Sequence, residues 1–314
     1  MHIYFAIAAT ILSAGFFVGG KVLIARHGMA WPSLWRWTLV TTGLLGTVGW
    51  LVQGAPMLPW GWCLLAGAAG SLAHICANQA LAWGDASVLV PVSGAKPLVM
   101  IPLLWLVFGQ VLPPDLIYAC GLATLGIALG GLGPVRRHVN APHPRWGFAL
   151  MLLSVVLMTF SDLFGAKILV VAGPDMRWPA IAGWCMGLGS IPLLSAVIIS
   201  RPVRPLVRSI PLPMWLIPGK SEPLANRMRA ASQGVLFTAF IVTISLAFAL
   251  APDPALAVAQ VNIVIALRGV VAVLMVLALD RWMGMGLEPL PWWIHALRLA
   301  GAAVLAGAVA LALI

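Results

Sequence analysis

The chain has 314 residues, 62% hydrophobic and only 8% charged, too few charges to clothe a soluble domain of this size. Its net charge of +10, from 18 Lys and Arg against 8 Asp and Glu, would in a soluble protein raise nucleic acid as a partner. Half of these cations instead fall in two connecting stretches, 133–145 and 201–229, where they read as topology signals of a chain embedded in a lipid bilayer, and a nucleic-acid partner is set aside.

A helix that crosses the hydrocarbon core needs roughly 20 apolar residues. Taken in chain order, the segments that qualify are 2–25, 33–52, 61–83, 86–109, 114–133, 146–171, 179–200, 230–251, 255–279 and 292–314. The first lacks the cationic start of a signal peptide and is longer than a signal's apolar core, so it is expected to be a retained helix. Most connections are short and marked by Gly84-Asp85, Pro113-Pro114-Asp115 or Pro252-Asp253-Pro254, which favours antiparallel packing of successive helices. Trp31, Trp60, Trp178 and Trp292 stand near predicted ends, as an interfacial belt requires. Cys63, Cys76, Cys120 and Cys185 lie inside apolar segments without CxxC spacing or neighbouring His, and are expected to be buried free thiols rather than metal ligands.

The sequence repeats itself weakly. Phe17-Val18-Gly19-Gly20-Lys21-Val22-Leu23-Ile24 aligns with Leu163-Phe164-Gly165-Ala166-Lys167-Ile168-Leu169-Val170, and Trp31-Pro32 and Trp37 align with Trp178-Pro179 and Trp184. Ala80-Leu81 corresponds to Ala249-Leu250, and Gly126 to Gly307. The order of these matches is the same in both halves, so the chain reads as two five-helix repeats, 1–140 and 141–314, the second carrying the basic loop 201–229. An odd number of helices per repeat makes the second copy enter the membrane from the opposite side, giving an all-α membrane protein of two inverted repeats, suited to alternating access around a site near the midplane.

Three stretches, Asn78-Gln79-Ala80-Leu81-Ala82-Trp83-Gly84-Asp85-Ala86-Ser87, Lys96-Pro97-Leu98 and Phe108-Gly109-Gln110, together with an echo between Ala249 and Gly307, resemble the EamA-like transporters of the drug/metabolite transporter superfamily. That family usually carries an acid after the glycine of helix 4, where this chain has Gln110 and, at the counterpart of the second half, Asp280. The resemblance implies a secondary transporter in a cell membrane of bacterial inner-membrane type. It would commonly export amino acids or related small metabolites without a cofactor, and a homodimer is compatible with it. It also implies that helices 3, 4, 8 and 9 line the pathway.

Ionisable residues inside spans are the first functional suspects, because centring one in hydrocarbon costs at least about 2.5 kcal/mol. Lys96 and Arg268 lie nearest the middles of helices 4 and 9 and are candidates to face a substrate carboxylate or phosphate; structural pairing with a neighbouring helix is the alternative. Lys21 and Lys167 occupy matched repeat positions and either snorkel to an interface or reach a cavity. His74 and Asn78 share a face of helix 3, with Gln79 beside them, and Gln260 and Asn262 come early in helix 9; these bind substrate or tie helices together. Asp162 is the acid well inside a span and the candidate for carrying a coupling proton. The half-sized small multidrug-resistance transporters, which are related, use an acid in their first helix; the matching residue of the first repeat here is Phe16.

Two other classes compete: a lipid or lipid-carrier flippase of the same fold, and a membrane-embedded enzyme. The second would cluster its acids at one face, whereas Asp85, Asp115, Asp175, Asp253, Asp280 and Glu288 are scattered singly. For orientation, loops after odd-numbered helices carry nearly all the arginines, which places both termini outside the cytoplasm, while the family resemblance places them inside.

Overall fold

The computed structural model describes residues 1–83, 92, 95–131, 144–199, 223–283 and 292–313, and among these every regular element is helical. The first half comprises α1 (His2–His27), α2 (Trp31–Val52), α3 (Trp60–Trp83), α4 (Lys96–Phe108) and α5 (Pro114–Gly131). In the second half α6 (Pro144–Ala172) is followed by a short 3₁₀ turn, Pro174–Met176, then α7 (Arg177–Ile199), α8 (Leu224–Ala249), α9 (Pro254–Ile265), α10 (Arg268–Met283) and α11 (Trp292–Ala312). The side chains of Lys21, Asn78 and Asp280, the residues 84–91 that include Asp85, most of the basic loop (201–222) and Glu288 lie outside the described residues.

Glycine and proline set the boundaries. Gly28 ends α1 in the left-handed conformation, φ 60°, and its amide returns to the Ile24 carbonyl at 3.1 Å. Pro32 then stands at the start of α2, where its missing N–H costs nothing. Asp253 caps α9, its Oδ1 accepting from the amides of Ala255 at 2.9 Å and Leu256 at 3.3 Å.

Among the described residues, five stretches are long and apolar enough to cross a membrane: His2–Ile24, Trp60–Ala77, Arg145–Ala172, Leu224–Ala249 and Pro254–Ala272. Shorter apolar helices occur at Lys96–Phe108, Pro114–Leu129 and Ala296–Ala312. Large apolar side chains such as Leu44, Val48, Leu51, Trp105, Leu106 and Leu125 are exposed around the bundle, as lipid-facing residues are.

Two predicted segments differ from the structure. The eighth begins at Leu224 rather than residue 230, because the polar turns containing Asn226, Arg227 and Arg229 continue the helix beyond its apolar part. The ninth is two helices. At Ala266 and Leu267 the hydrogen bonds tighten: the Leu267 amide donates to Val264 rather than one residue further back, and the Thr10 hydroxyl of α1 also donates to the Val264 carbonyl at 3.3 Å. The same hydroxyl donates at 2.8 Å to Ala6 in its own helix, and an apolar sequence without Pro gives no notice of the break.

Packing joins the halves throughout. α1 lies on α8, α3 on α6, α2 on α7, α5 on α11, and α7 and α8 also touch α3 and α2 respectively. Where α2 meets α7, a Cβ added to Gly43 would lie 2.8 Å from the Cα of Gly189, so only glycine admits this approach. Hydroxyls bind helix to helix: Ser71 donates to Leu188 (2.6 Å), Ser154 to Ala73 (2.7 Å) and Ser161 to Ala66 (2.8 Å). The four cysteines are free thiols; Cys63, Cys120 and Cys185 are buried, whereas Cys76, expected to be buried, is only half-buried because it lies on a less covered face of α3.

Candidate functional site

The site is best built from α6. Its inner face carries Asp162, 6% exposed, one turn from Ala166, which is fully buried. α4 starts at Lys96, and the Lys96 Nζ donates to Asp162 Oδ2 at 2.7 Å. The pair unites the two halves of the chain, and both side chains are largely sheltered. Each charge desolvated in this way needs the other.

Arg268, the first residue of α10, lies within electrostatic reach of Asp162, Lys96 and His74. Its guanidinium carbon sits 5.1 Å from the centre of the Phe17 ring, a cation–π arrangement with α1. The break between α9 and α10 thus falls immediately before the cation, so a turn rather than mid-helix backbone presents it.

Against these charges stands an aromatic wall. His74 of α3 is stacked on Trp35 of α2, centroids 4.1 Å apart and planes 18° from parallel. Phe237 of α8 meets the edge of His74 at 5.7 Å, and Phe16 of α1 touches both Trp35 and Phe237 at 5.1 Å. Trp31 extends the stack on α2. The indole N–H of Trp35 and the hydroxyl of Thr38, one turn along, are buried without a hydrogen-bond partner. Buried donors of this kind are uncommon in folded proteins.

The structure therefore brings together Lys96, Asp162, Arg268 and His74. It does not bring Gln260 to them: the Gln260 side chain, from the middle of α9, donates at 3.1 Å to the carbonyl of Ala312, the last residue of α11. Asn262 is buried and its amide donates back to Val258 at 2.9 Å. Gln79 is half-buried on α3. Lys167 lies with its ammonium 5.0 Å from the centre of the Phe108 ring, near the ends of α6 and α4. Lys21 and Asn78 occupy α1 and α3, their side chains outside the described residues.

Sequence reasoning did not single out Trp35 or Phe237 and met Phe16 only as the counterpart of Asp162; the signal that could have found Trp35 is the face shared by Trp31, Trp35, Thr38 and Thr42 at helical spacing, of which Trp35, Thr38 and Thr42 are buried.

A helical bundle with lipid-facing apolar residues on its outside and paired charges at its centre is that of a multi-pass membrane protein. The family model described as EamA-like transporter family matches residues 1–131. No curated protein matches the chain. A solved structure described only as "Crystal structure of protein" superposes with a TM-score of 0.67, covering 99% of this chain and 96% of its own, at 14% sequence identity; the two share a fold.

Proposed function

We propose that the protein is a secondary active transporter that exports small metabolites, such as amino acids or related compounds, across a cell membrane of bacterial inner-membrane type by alternating access. The observation that carries this reading is the buried pair of Lys96 and Asp162 with Arg268 and His74 beside it, where the two halves meet. Charges held inside a membrane bundle mark solute and ion pathways.

The packing supports inverted repeats, 1–140 and 141–314. Under exchange of the halves α1 becomes α6, α2 becomes α7, α3 becomes α8 and α5 becomes α11. The contact of α1 with α8 then maps onto that of α6 with α3, the contact of α3 with α7 onto that of α8 with α2, and the pairs α2–α7 and α5–α11 map onto themselves. A two-fold axis in the membrane plane produces that set, and rocking of one half against the other around a fixed site is the motion it suits.

In this mechanism Lys96 and Arg268 seat the substrate's acidic group, His74 with Gln79 and Asn78 contributes to its binding surface, and Asp162 carries the coupling proton. Asn262 stiffens α9, while Gln260 and Lys167 act away from the substrate. The experiment is reconstitution into proteoliposomes and uptake of labelled amino acids and small metabolites with and without a pH gradient. Gradient-driven uptake lost in Asp162→Asn is the expected result. Lipid scrambling without flux of any small solute would replace this reading with a flippase.

A further inference from the structure

The end of α1 and the start of α8 meet at one face of the bundle, and they meet through cations. Arg229 Nη1 lies 3.2 Å from His27 Nδ1 and donates to Asn226 Oδ1 at 3.1 Å, while the Asn226 amide donates to the His27 carbonyl at 3.5 Å. Arg26, His27 and Arg229 are exposed. Arg227 stands beside them, its guanidinium carbon 5.7 Å from the centre of the Trp37 ring on α2. Among the described residues, neither Arg26 nor Arg229 has an acidic partner.

Local electrostatics do not account for this arrangement. Arg26 belongs to the last turn of α1, the negative end of that helix, where a cation is stabilising. Arg227 lies in the first turn of α8 and Arg229 just beyond it, at the positive end, and that turn holds no acid. The adjoining sequence offers little relief. The stretches 21–37 and 201–229, which lead into the junction, carry nine cations against one acid, Glu222. Counting Asp85, Asp280 and Glu288 against them as well leaves the balance positive, wherever those three stand.

Apolar surface begins at the same place. Leu224 and Met228, one turn apart on α8, are 71% and 66% exposed, and Val235 continues the face two turns further on at 54%. On a helix apolar enough to cross a membrane, such a face lies against acyl chains, and the arginines at its start lie at the depth of the headgroups.

We propose that the junction of α1 and α8 binds the phosphate of an anionic membrane lipid, held between Arg26 and Arg229, with its acyl chains along Leu224 and Met228. The lipid supplies the negative charge that the start of α8 lacks. The apolar face selects a lipid over a dissolved phosphate or a nucleic acid, neither of which has a chain to lay on it. Because α1 belongs to the first half of the molecule and α8 to the second, one lipid spans both. The inference stands on the bundle being in a bilayer and not on what the bundle transports.

The test titrates the purified full chain in detergent with phosphatidylglycerol and with phosphatidylcholine, and native mass spectrometry reads the bound lipid. The first phosphatidylglycerol is expected to bind at least about tenfold tighter than phosphatidylcholine, whose choline offsets its phosphate. Arg26→Gln and Arg229→Gln each lower phosphatidylglycerol affinity about fivefold, the worth of one cation at a charged membrane surface. Arg26 makes none of the hydrogen bonds of the junction, so Arg26→Gln carries the test even where Arg229→Gln loosens α1 from α8. Arg177 begins α7, which runs antiparallel to α2 and so starts at the far end of the bundle; Arg177→Gln is the control and leaves affinity unchanged.

Equal binding of the two lipids, parental affinity in Arg26→Gln, or an equal loss in Arg177→Gln would overturn the proposal. Displacement of phosphatidylglycerol by glycerol phosphate at the same concentration would replace it with a site for dissolved phosphate, and displacement by a short RNA with a nucleic-acid surface.

Discussion

The Nζ of Lys96 and the Oδ2 of Asp162 meet at 2.7 Å, one from the first residue of α4 and the other from the interior of α6. Their side chains are 16% and 9% exposed, so little water is available to either if the other leaves. Breaking a buried pair by removing one partner costs about 3 to 5 kcal/mol, whereas replacing both by apolar groups is often neutral. Lys96→Met and Asp162→Leu are each expected to lower the melting temperature in detergent, and the double variant to recover most of the loss. Equal destabilisation by the double variant would show the pair to be uncoupled.

Gly43 leaves no room for a side chain against Gly189. Gly43→Val forces α2 away from α7 and is expected to cost about 1 to 3 kcal/mol, as overpacking does. Gly121, with nothing within 4 Å of an added Cβ, is the control: Gly121→Ala should leave the melting temperature unchanged or raise it. Melting both variants in the same detergent checks the contrast.

Gln110 donates to Asp253 Oδ2 at 3.3 Å, joining the end of α4 to the cap of α9. Gln110→Glu restores the acid usual in the family but sets a second carboxylate against the first. Like charges at this distance repel, so the variant is expected to be less stable than the parent at neutral pH. The deficit should shrink as pH falls from 7 towards about 4, because a carboxylate facing a like charge takes up its proton above the ordinary value. Melting curves from pH 7 to pH 4 read the effect, and a constant difference would refute it.

Thr10 reaches from α1 to the carbonyl of Val264 at the turn between α9 and α10. Thr10→Val keeps the volume and removes the donor, at a cost of about 0.6 to 1 kcal/mol for such a bond in a membrane bundle. Amide hydrogen exchange across 264–271 is expected to quicken in the variant while that of α6 stays the same.

Trp35→Phe keeps a ring against His74 and is expected to retain most of the stability, whereas Trp35→Ala opens a cavity among His74, Phe16 and Phe237 and costs about 3 to 5 kcal/mol. The same melting assay separates the two.

The helices were legible because hydrocarbon demands long apolar runs and their ends are punctuated by Gly28, Pro32, Asp253 and similar residues. The charged members of the site were legible for the same reason, since Lys96, Asp162 and Arg268 stand out in apolar surroundings. Their pairing was not: nothing local to residue 96 specifies residue 162 as its partner. The aromatic wall was hidden by its own chemistry, because a tryptophan at a helix start is equally at home at the interface. The bonds from Ser71, Ser154 and Ser161 were hidden too, for a hydroxyl in a helix is as ready to bond its own preceding turn, as Thr47 and Thr159 do. The turn at Ala266 lies beside Thr10, a residue of another helix, and no reading of 255–279 alone contains that neighbour.

That turn divides what would be one long rod into two levers with a common pivot. α9 is fastened at its start through Asp253 to Gln110 and near its middle through Gln260 to Ala312. Beyond the pivot, the first group carried is the guanidinium of Arg268. The guanidinium of Arg268 therefore stands at the joint itself, with both fastenings of α9 on the other side of it.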